Sequence, residues 1–149
     1  DSSEVWSGFR VGRRARPFDL EIERSDDRAG VRCAHDGYHH RPSSPTHRRT
    51  WSVEDGVLAV ADAVSGRFEE AVARFHFHPD VDLRLRTDDT GRAGTIHLTD
   101  APSLAWTVIR GRAAIRTSSH HPRFGAAIPR RCLEVTLERG RSELRLARA

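Results

Sequence analysis

Apolar and polar residues alternate with a period of two along most of the chain. In residues 17–24, Phe18, Leu20 and Ile22 alternate with acidic side chains. Successive side chains of a strand point to opposite faces of a sheet, so this segment predicts a half-buried strand with those three residues on one face. Similar alternation predicts strands over residues 5–11, 31–33, 48–55, 57–64, 70–78, 81–86, 95–100, 104–110, 111–117 and 131–147.

Turn residues separate these segments. Asp55-Gly56 is a strong short-range hairpin signal, and Arg139-Gly140 joins the last two alternating segments. Residues 41–46 (RPSSPT) read as a loop, and residues 87–94 (TDDTGRAG) read as a turn. About a dozen short, hairpin-linked strands predict an all-β fold, an antiparallel β-sandwich. A helix over residues 65–75 is the one helical alternative, and the following Phe-His-Phe-His pattern favours a strand there.

The chain contains 149 residues, which corresponds to a single domain spanning residues 1–149. It contains no apolar run of about 18 residues, so we expect no membrane span, and no signal peptide is visible. The chain begins at Asp1 and contains no methionine. We therefore expect a processed product, an expressed piece or a fragment of a longer protein.

The chain carries a formal net charge of +4, and all 25 of its basic residues besides histidine are arginine. The 21 acidic residues are interleaved with these arginines, as in LERGRSELR, which is typical of a mixed solvated surface. No block of like charge suggests a nucleic-acid partner. A functional anion-binding patch is the alternative interpretation of the arginines.

Cys33 and Cys132 lie far apart in apolar-alternating segments and form no Cys-x-x-Cys motif. We expect two buried free thiols, with a disulfide as the alternative. No serine lies in a Gly-x-Ser-x-Gly context, no glycine-rich loop follows a strand, and neither cysteine lies near an obvious base. These absences argue against a serine hydrolase, a nucleotide-binding protein and a thiol enzyme.

Histidine is concentrated between residues 35 and 78. His76 and His78 share one face of a predicted strand, and with His47, His35 or Asp62 they could ligate zinc. The alternative is a polar pair that only forms hydrogen bonds, and we expect no metal in this chain.

The His35-Asp36-Gly37-Tyr38 corner offers an imidazole, a carboxylate and a phenol for acid–base chemistry. It could equally be an ordinary turn, with Tyr38 simply packing. Arg48 and Arg49 could each bind a carboxylate with two-pronged geometry, but alternation sends them to opposite faces of their strand.

Six segments occur in an order that resembles a known family. They are DSSEVWSGFRVGRRARP, AHDGY, HRRTW, VADAVSG, FHFHPDV and HHPRFG, and the similarity extends from Asp1 to about Leu146. Together they resemble the C-terminal β-sandwich region of the heparinase II/III-like polysaccharide lyases. The resemblance implies a parent protein that cleaves uronic-acid polysaccharides by β-elimination, with an α-helical toroid preceding the sandwich.

The resemblance implies that catalysis in this family uses a Tyr and a His on the toroid together with a His on the sandwich. Some members add zinc, held by a His-x-His segment, an Asp and the His of a His-Asn-Thr segment. The matched region begins after that last segment, and the chain contains no asparagine. His76 and His78 align with a later strand, so the resemblance does not make them the family's zinc ligands. We therefore expect no catalytic residues and no cofactor in this chain, with zinc possible in the parent enzyme.

The sequence thus predicts the C-terminal piece of a heparinase II/III-like lyase, itself non-catalytic. His35, Tyr38, Arg48 and Arg49 are predicted to contact an acidic polysaccharide of the uronate or glycosaminoglycan type. The upstream helical domain is the expected protein partner, self-association through an exposed edge is expected, and the family implies a periplasmic or secreted location. The alternatives are a stand-alone carbohydrate-binding or structural β-sandwich module, and a small metal-dependent β-fold enzyme using His47, Asp62, His76 and His78.

Overall fold

A computed structural model describes residues 4–6, 10–86 and 90–149. These residues contain no helix, and hence none that is long and apolar enough to cross a membrane. Their strands are β1 (Glu4–Trp6), β2 (Arg10–Arg13), β3 (Pro17–Arg24), β4 (Arg28–His35), β5 (Thr46–Glu54), β6 (Val57–Ser65), β7 (Val72–His76), β8 (Asp82–Leu85), β9 (Ala93–His97), β10 (Leu104–Arg110), β11 (Arg112–His120), β12 (Ile128–Thr136) and β13 (Arg141–Arg148).

The strands form two packed layers, and every strand pair is antiparallel. One layer is an eight-stranded sheet in the order β3-β4-β5-β6-β13-β10-β9-β8, and the other is a three-stranded sheet in the order β11-β12-β7. β1 and β2 form a separate two-stranded sheet. The predicted all-β antiparallel sandwich is confirmed.

The core lies between the three-stranded sheet and the β13-to-β8 part of the large sheet. Trp106 of β10, which is fully buried, packs in one cluster with Leu133 of β12 and Leu144 of β13. The Trp106 indole Nε1 donates a hydrogen bond of 3.2 Å to the Arg84 carbonyl oxygen of β8. Gly94 of β9 lies beneath the indole, where a β-carbon would approach the ring within 2.6 Å.

The predicted hairpin at Asp55-Gly56 is confirmed, whereas the Arg139-Gly140 turn closes with one Glu138–Arg141 bridge and joins strands that lie in different sheets. Asp55 and Gly56 have φ angles of 50° and 73°, and they connect β5 to β6 with Glu54 opposite Val57. Arg139 and Gly140 have φ angles of 50° and 74° between β12 and β13. Two consecutive positive φ angles suit the right-handed twist of the flanking strands. The predicted turn over residues 87–94 lies partly outside the described residues, because 87–89 are not described.

The prediction of one strand over residues 5–11 is wrong. Residues 4–6 and 10–13 instead form two short strands that pair with each other, with Val5 opposite Val11. Residues 7–9 between them are not described. Alternation alone cannot separate one strand from a tight hairpin, because both halves of a hairpin keep the same period.

The predicted half-buried face of β3 is also wrong. The register shifts between Phe18 and Glu21, and Asp19 has a φ of 51°, so Phe18 and Ile22 do not share a face. β3 is the edge of the large sheet, and the smaller sheet does not reach over it. Leu20 is 62% exposed and Ile22 is 69% exposed. Self-association through this edge stays a prediction.

Residues 65–75 contain no helix, and β7 confirms the strand prediction there. Cys33 and Cys132 are free thiols, as expected, but only Cys132 is buried, while Cys33 is half-buried because it lies in β4 near the edge of the large sheet. Burial raises the pKa of the Cys132 thiol, and the nearby Glu134 carboxylate adds to this effect. A raised thiol pKa lowers the thiolate fraction, so Cys132 is an unreactive structural cysteine.

Candidate functional site

A buried carboxylate organises the centre of the large sheet. Asp62 of β6 is 3% exposed and accepts hydrogen bonds from Arg49 through Nε (2.7 Å) and Nη2 (3.1 Å). It also accepts hydrogen bonds from His47 Nε2 (2.6 Å) and, across the β6–β13 pair, from the Ser142 hydroxyl (3.4 Å). The strand ladder places these groups together, since Asp62 lies opposite Arg49 in β5 and opposite Ser142 in β13.

These donors keep Asp62 ionised. Burial by itself would raise the pKa of the Asp62 carboxyl, but hydrogen bonds from His47 and Arg49, with the charge of Arg49, hold the pKa below its ordinary value. A buried charge is tolerated when it is paired and its lone pairs are satisfied. Asp62 is therefore the anchor of this cluster.

Two histidines extend the cluster to the corner at residues 35–38. The Gly37 backbone N–H donates to His35 Nδ1 (3.1 Å), His35 Nε2 lies 2.9 Å from His47 Nδ1, and His47 Nε2 contacts Asp62. Because His35 Nδ1 accepts a hydrogen bond from the Gly37 N–H, Nε2 of the neutral ring must carry the hydrogen and donate a hydrogen bond to His47 Nδ1. The same logic makes His47 Nε2 the donor to Asp62. One tautomer of each ring therefore satisfies every hydrogen bond in this series from Gly37 to Asp62.

The corner itself is fixed by local contacts. The Tyr38 and His35 rings lie 5.4 Å apart between centroids, and Asp36 accepts a hydrogen bond of 2.6 Å from the Arg16 backbone N–H. Burial lowers the pKa of His35, and the neighbouring His47 lowers it further. His35 is therefore held as a neutral ring that supports Tyr38.

Arg49 also joins the two layers of the sandwich. Its guanidinium carbon lies 5.3 Å from the Phe75 ring centroid in β7 and 5.8 Å from the Trp51 ring centroid in β5. Cation–π attraction favours this position, and the carboxylate of Asp62 fixes the guanidinium from the other side. The predicted ligand-binding residue Arg49 is thus engaged within the fold.

Arg48 lies on the opposite face of β5, as alternation predicts. Its Nη2 forms an ion pair of 2.6 Å with Asp19 Oδ2 in β3. The structure therefore brings His35, Tyr38 and Arg49 to one face and places Arg48 on the other. Their roles in substrate binding stay predictions.

The remaining candidates for metal binding, His76 and His78, lie in and just after β7, which belongs to the three-stranded sheet. His78 contacts Asp80 at 3.3 Å and stacks edge-on against His120 with centroids 5.5 Å apart, while His76 pairs with Cys132. Partial burial lowers the pKa of His76, and nearby arginines add to the effect. In the described part of the chain, no group of three or more His, Cys, Asp or Glu side chains could hold a metal ion.

The pairing of Asp62 with Arg49 was not predicted, although the sequence contains a signal for it. Asp55-Gly56 predicts a two-residue hairpin, so Glu54 must pair with Val57. Counting outward from the turn, one residue on each strand at a time, places Asp62 opposite Arg49. The sequence contains no such signal for the contact of Phe75 with Arg49, because that contact depends on how the two sheets stack.

The His35 network predicts a pH dependence of stability. Because the folded pKa of His35 is lowered, the unfolded chain binds a proton at His35 before the folded chain does. The free energy of unfolding should therefore fall as pH drops through about 6.5, the ordinary value for histidine. The lowered pKa of Asp62 also makes the free energy of unfolding fall as the pH drops. The stabilisation by Asp62 should be lost only when the pH falls below about 4, the ordinary range of a carboxyl group.

Urea denaturation at several pH values between about 7.5 and 5.5 would measure this dependence. In His35→Gln the slope of stability against pH should be shallower than in the wild type. His39→Gln, a change at an exposed histidine nearby, should leave the slope unaltered. Equal slopes in the wild type and His35→Gln would contradict the prediction.

The fold and the cluster define an antiparallel β-sandwich whose face carries a buried ion-pair network. The chain matches the family model described as heparinase II/III-like, C-terminal, over residues 1–145. It therefore belongs to the heparinase II/III-like family, as its C-terminal region. No curated protein matches the chain.

Among the solved structures that resemble the chain are two of one heparinase III. A heparinase III, the BT4657 gene product, superposes with a TM-score of 0.58 at 9% sequence identity, covering 90% of this chain and 21% of the heparinase. A form of the same product with methylated lysines gives a TM-score of 0.54 at 10% identity, covering 82% of this chain and 19% of that one. The chain thus spans about a fifth of the length of these structures, and the similarity establishes the fold.

Proposed function

We propose that this chain is the non-catalytic C-terminal sandwich of a lyase that cleaves uronic-acid polysaccharides by β-elimination. The family match over residues 1–145 is the observation that carries this proposal. Within it, the chain acts as a rigid scaffold and as one wall of the cleft that holds an acidic polysaccharide.

The state of the two clustered histidines supports a non-catalytic chain. His35 has both ring nitrogens engaged, by Gly37 and His47, and His47 has both engaged, by His35 and Asp62. A general base needs a nitrogen within hydrogen-bond reach of the substrate proton. These imidazoles instead hold the corner in place, so the base and acid of the reaction belong to the preceding part of the protein.

Tyr38 is the residue of the corner that we assign to the substrate. β-Elimination needs the C5 carboxylate neutralised, a base for the neighbouring proton, and an acid for the departing C4 oxygen. A phenol can donate a hydrogen bond to a sugar hydroxyl or to a carboxylate. The His35 ring, which is held by hydrogen bonds and lies tilted against the Tyr38 ring, orients Tyr38, and such positioning lowers the cost of binding. Arg48, which pairs with Asp19 on the opposite face of the sheet, would not reach the same stretch of substrate.

A larger protein is part of this proposal. The solved heparinase III structures are about five times as long as the stretch this chain matches, and we propose that a helical domain fills that upstream length here. The side chains of Ile22, Val31 and Trp51, which are exposed on adjacent strands, would be covered by that domain. Zinc, if the enzyme uses it, would lie in the upstream part, and the location would be periplasmic or extracellular.

Ultraviolet absorbance tests the proposal, because elimination creates an absorbing C4–C5 double bond. Heparin, heparan sulfate, chondroitin, hyaluronate and alginate should each be mixed with the chain and with the whole protein that contains it, zinc being supplied. We expect absorbance to rise with the whole protein and not with the chain. In the whole protein, Tyr38→Phe should lower kcat/KM about tenfold, the equivalent of one lost hydrogen bond.

His40→Gln, at an exposed position in the same loop, is the matched control and should retain full activity. A rise in absorbance with the isolated chain would show that it holds a complete active site and would overturn the non-catalytic assignment. Binding of these polymers by the whole protein without any rise would favour a stand-alone carbohydrate-binding module.

A further inference from the structure

A cavity lies where the two sheets meet, beside the β12–β13 turn. Its volume is about 640 Å³, within the usual range for small-molecule sites. The segment of residues 66–71, which crosses from β6 to β7, forms one wall, and the turn with Arg139-Gly140 forms another. We call this cavity the crossover cleft. It begins beside Val64, the strand partner of His47, so it adjoins the cluster described above.

The walls of the crossover cleft are tied to each other. The Val64 backbone N–H donates to the Gly140 carbonyl oxygen (2.8 Å), and the Leu137 N–H donates to the Ala71 carbonyl oxygen (2.9 Å). Gly140 has a positive φ, and a β-carbon there would meet the Phe68 ring at 3.3 Å and the Val64 carbonyl oxygen at 2.6 Å. Glycine thus lets the Phe68 ring pack against the turn. The cleft is preformed, which favours ligand binding.

Three arginines from three separate elements line the crossover cleft: Arg67, Arg112 and Arg139. None of the three has an ion pair within the part of the chain that the structure describes. Some arginines on the sheet surfaces are instead paired with a carboxylate, such as Arg74 with Glu134 and Arg145 with Glu143. The guanidinium groups of Arg67, Arg112 and Arg139 are therefore available to an anionic ligand.

The other lining groups suit a sugar. The Phe68 ring is 38% exposed, which leaves part of its surface for an apolar sugar face. Glu69 and Glu70 also line the cleft, and their carboxylates can accept hydrogen bonds from hydroxyl groups. These two negative charges would repel a densely charged anion such as a polyphosphate. They favour a ligand that has many hydroxyl groups and few carboxylates. Guanidinium groups bind a carboxylate through two parallel hydrogen bonds.

We propose that the crossover cleft is a binding site for carboxylate-bearing sugar residues. The choice of an acidic sugar rests on the proposed function, whereas the geometry of the cleft stands by itself. The site would hold part of an acidic polysaccharide outside the reacting bond.

The test uses nuclear magnetic resonance of the full chain, labelled with nitrogen-15 and titrated with a hyaluronan tetrasaccharide. This probe carries carboxylates and no sulfate, and chitotetraose is the neutral control of equal length. We expect saturable shifts of the Gly66, Phe68 and Gly140 amide signals with the hyaluronan fragment and none with chitotetraose. In the double variant Arg112→Gln/Arg139→Gln the dissociation constant should rise at least tenfold.

Arg123→Gln, an exposed arginine in the loop after β11, is the matched control and should leave the dissociation constant unchanged. Shifts confined to other residues, equal effects of sodium sulfate at matched ionic strength, or an equal loss in Arg123→Gln would each overturn the inference. If the cleft fails to bind while the whole protein cleaves uronate polymers, the proposed function survives. If the cleft binds the hyaluronan fragment but the whole protein has no lyase activity, the cleft proposal survives and the proposed function is overturned.

Discussion

Asp62→Asn is expected to lower the free energy of unfolding by about 3 kcal/mol at neutral pH. The substitution preserves shape but removes the charge that neutralises Arg49. The amide can accept fewer hydrogen bonds than the carboxylate, and it presents an N–H group toward donors on Arg49 and His47. We choose the lower end of the range for broken buried ion pairs because the Arg49 side chain is 24% exposed. Urea denaturation with linear extrapolation would measure the change.

Asp19→Asn is the matched control. Asp19 also accepts a hydrogen bond from an arginine, Arg48, but this pair lies at the surface, with side chains 53% and 33% exposed. Exposed pairs contribute less than about 1 kcal/mol because water screens them. If Asp62→Asn were no more destabilising than Asp19→Asn, the buried cluster would not be the anchor that we describe.

Gly94→Ala is expected to lower the free energy of unfolding by about 3 kcal/mol, the upper end for an overpacked core. The added methyl group would collide with the Arg84 carbonyl oxygen and approach the Trp106 ring within 2.6 Å. That carbonyl belongs to the backbone of β8 and accepts the indole hydrogen bond, so neither neighbour can move independently. Thermal unfolding would show the loss, and near-ultraviolet circular dichroism would report the displacement of Trp106.

Gly30→Ala provides the control, because Gly30 also lies inside a strand of the large sheet. There the nearest atom to an added β-carbon is the Trp51 carbonyl oxygen at 3.7 Å, which is ordinary contact. Alanine reduces the freedom of the unfolded chain, so this change should be neutral or stabilising by less than about 1 kcal/mol. A similar loss from both substitutions would show that glycine in strands, rather than the space beneath Trp106, explains the effect.

Local sequence patterns determined much of the fold. A period of two and the turn at Asp55-Gly56 were enough to predict strands β5 and β6 and to set their register. That register in turn places Asp62 opposite Arg49. These features depend on neighbours in sequence, since strand faces and tight turns follow from backbone geometry. The family resemblance rested likewise on motifs that can be read in order along the chain.

Only the tertiary structure decided which strand faces are buried. The segment of β3 has a clean alternating pattern, yet Ile22 is exposed because the smaller sheet covers the other end of the large one. The contact of Arg49 with Phe75 and the meeting of Arg67, Arg112 and Arg139 in the crossover cleft likewise join segments remote in sequence. Alternation specifies two faces for each strand, but the stacking of whole sheets determines which face meets the core, a ligand or water.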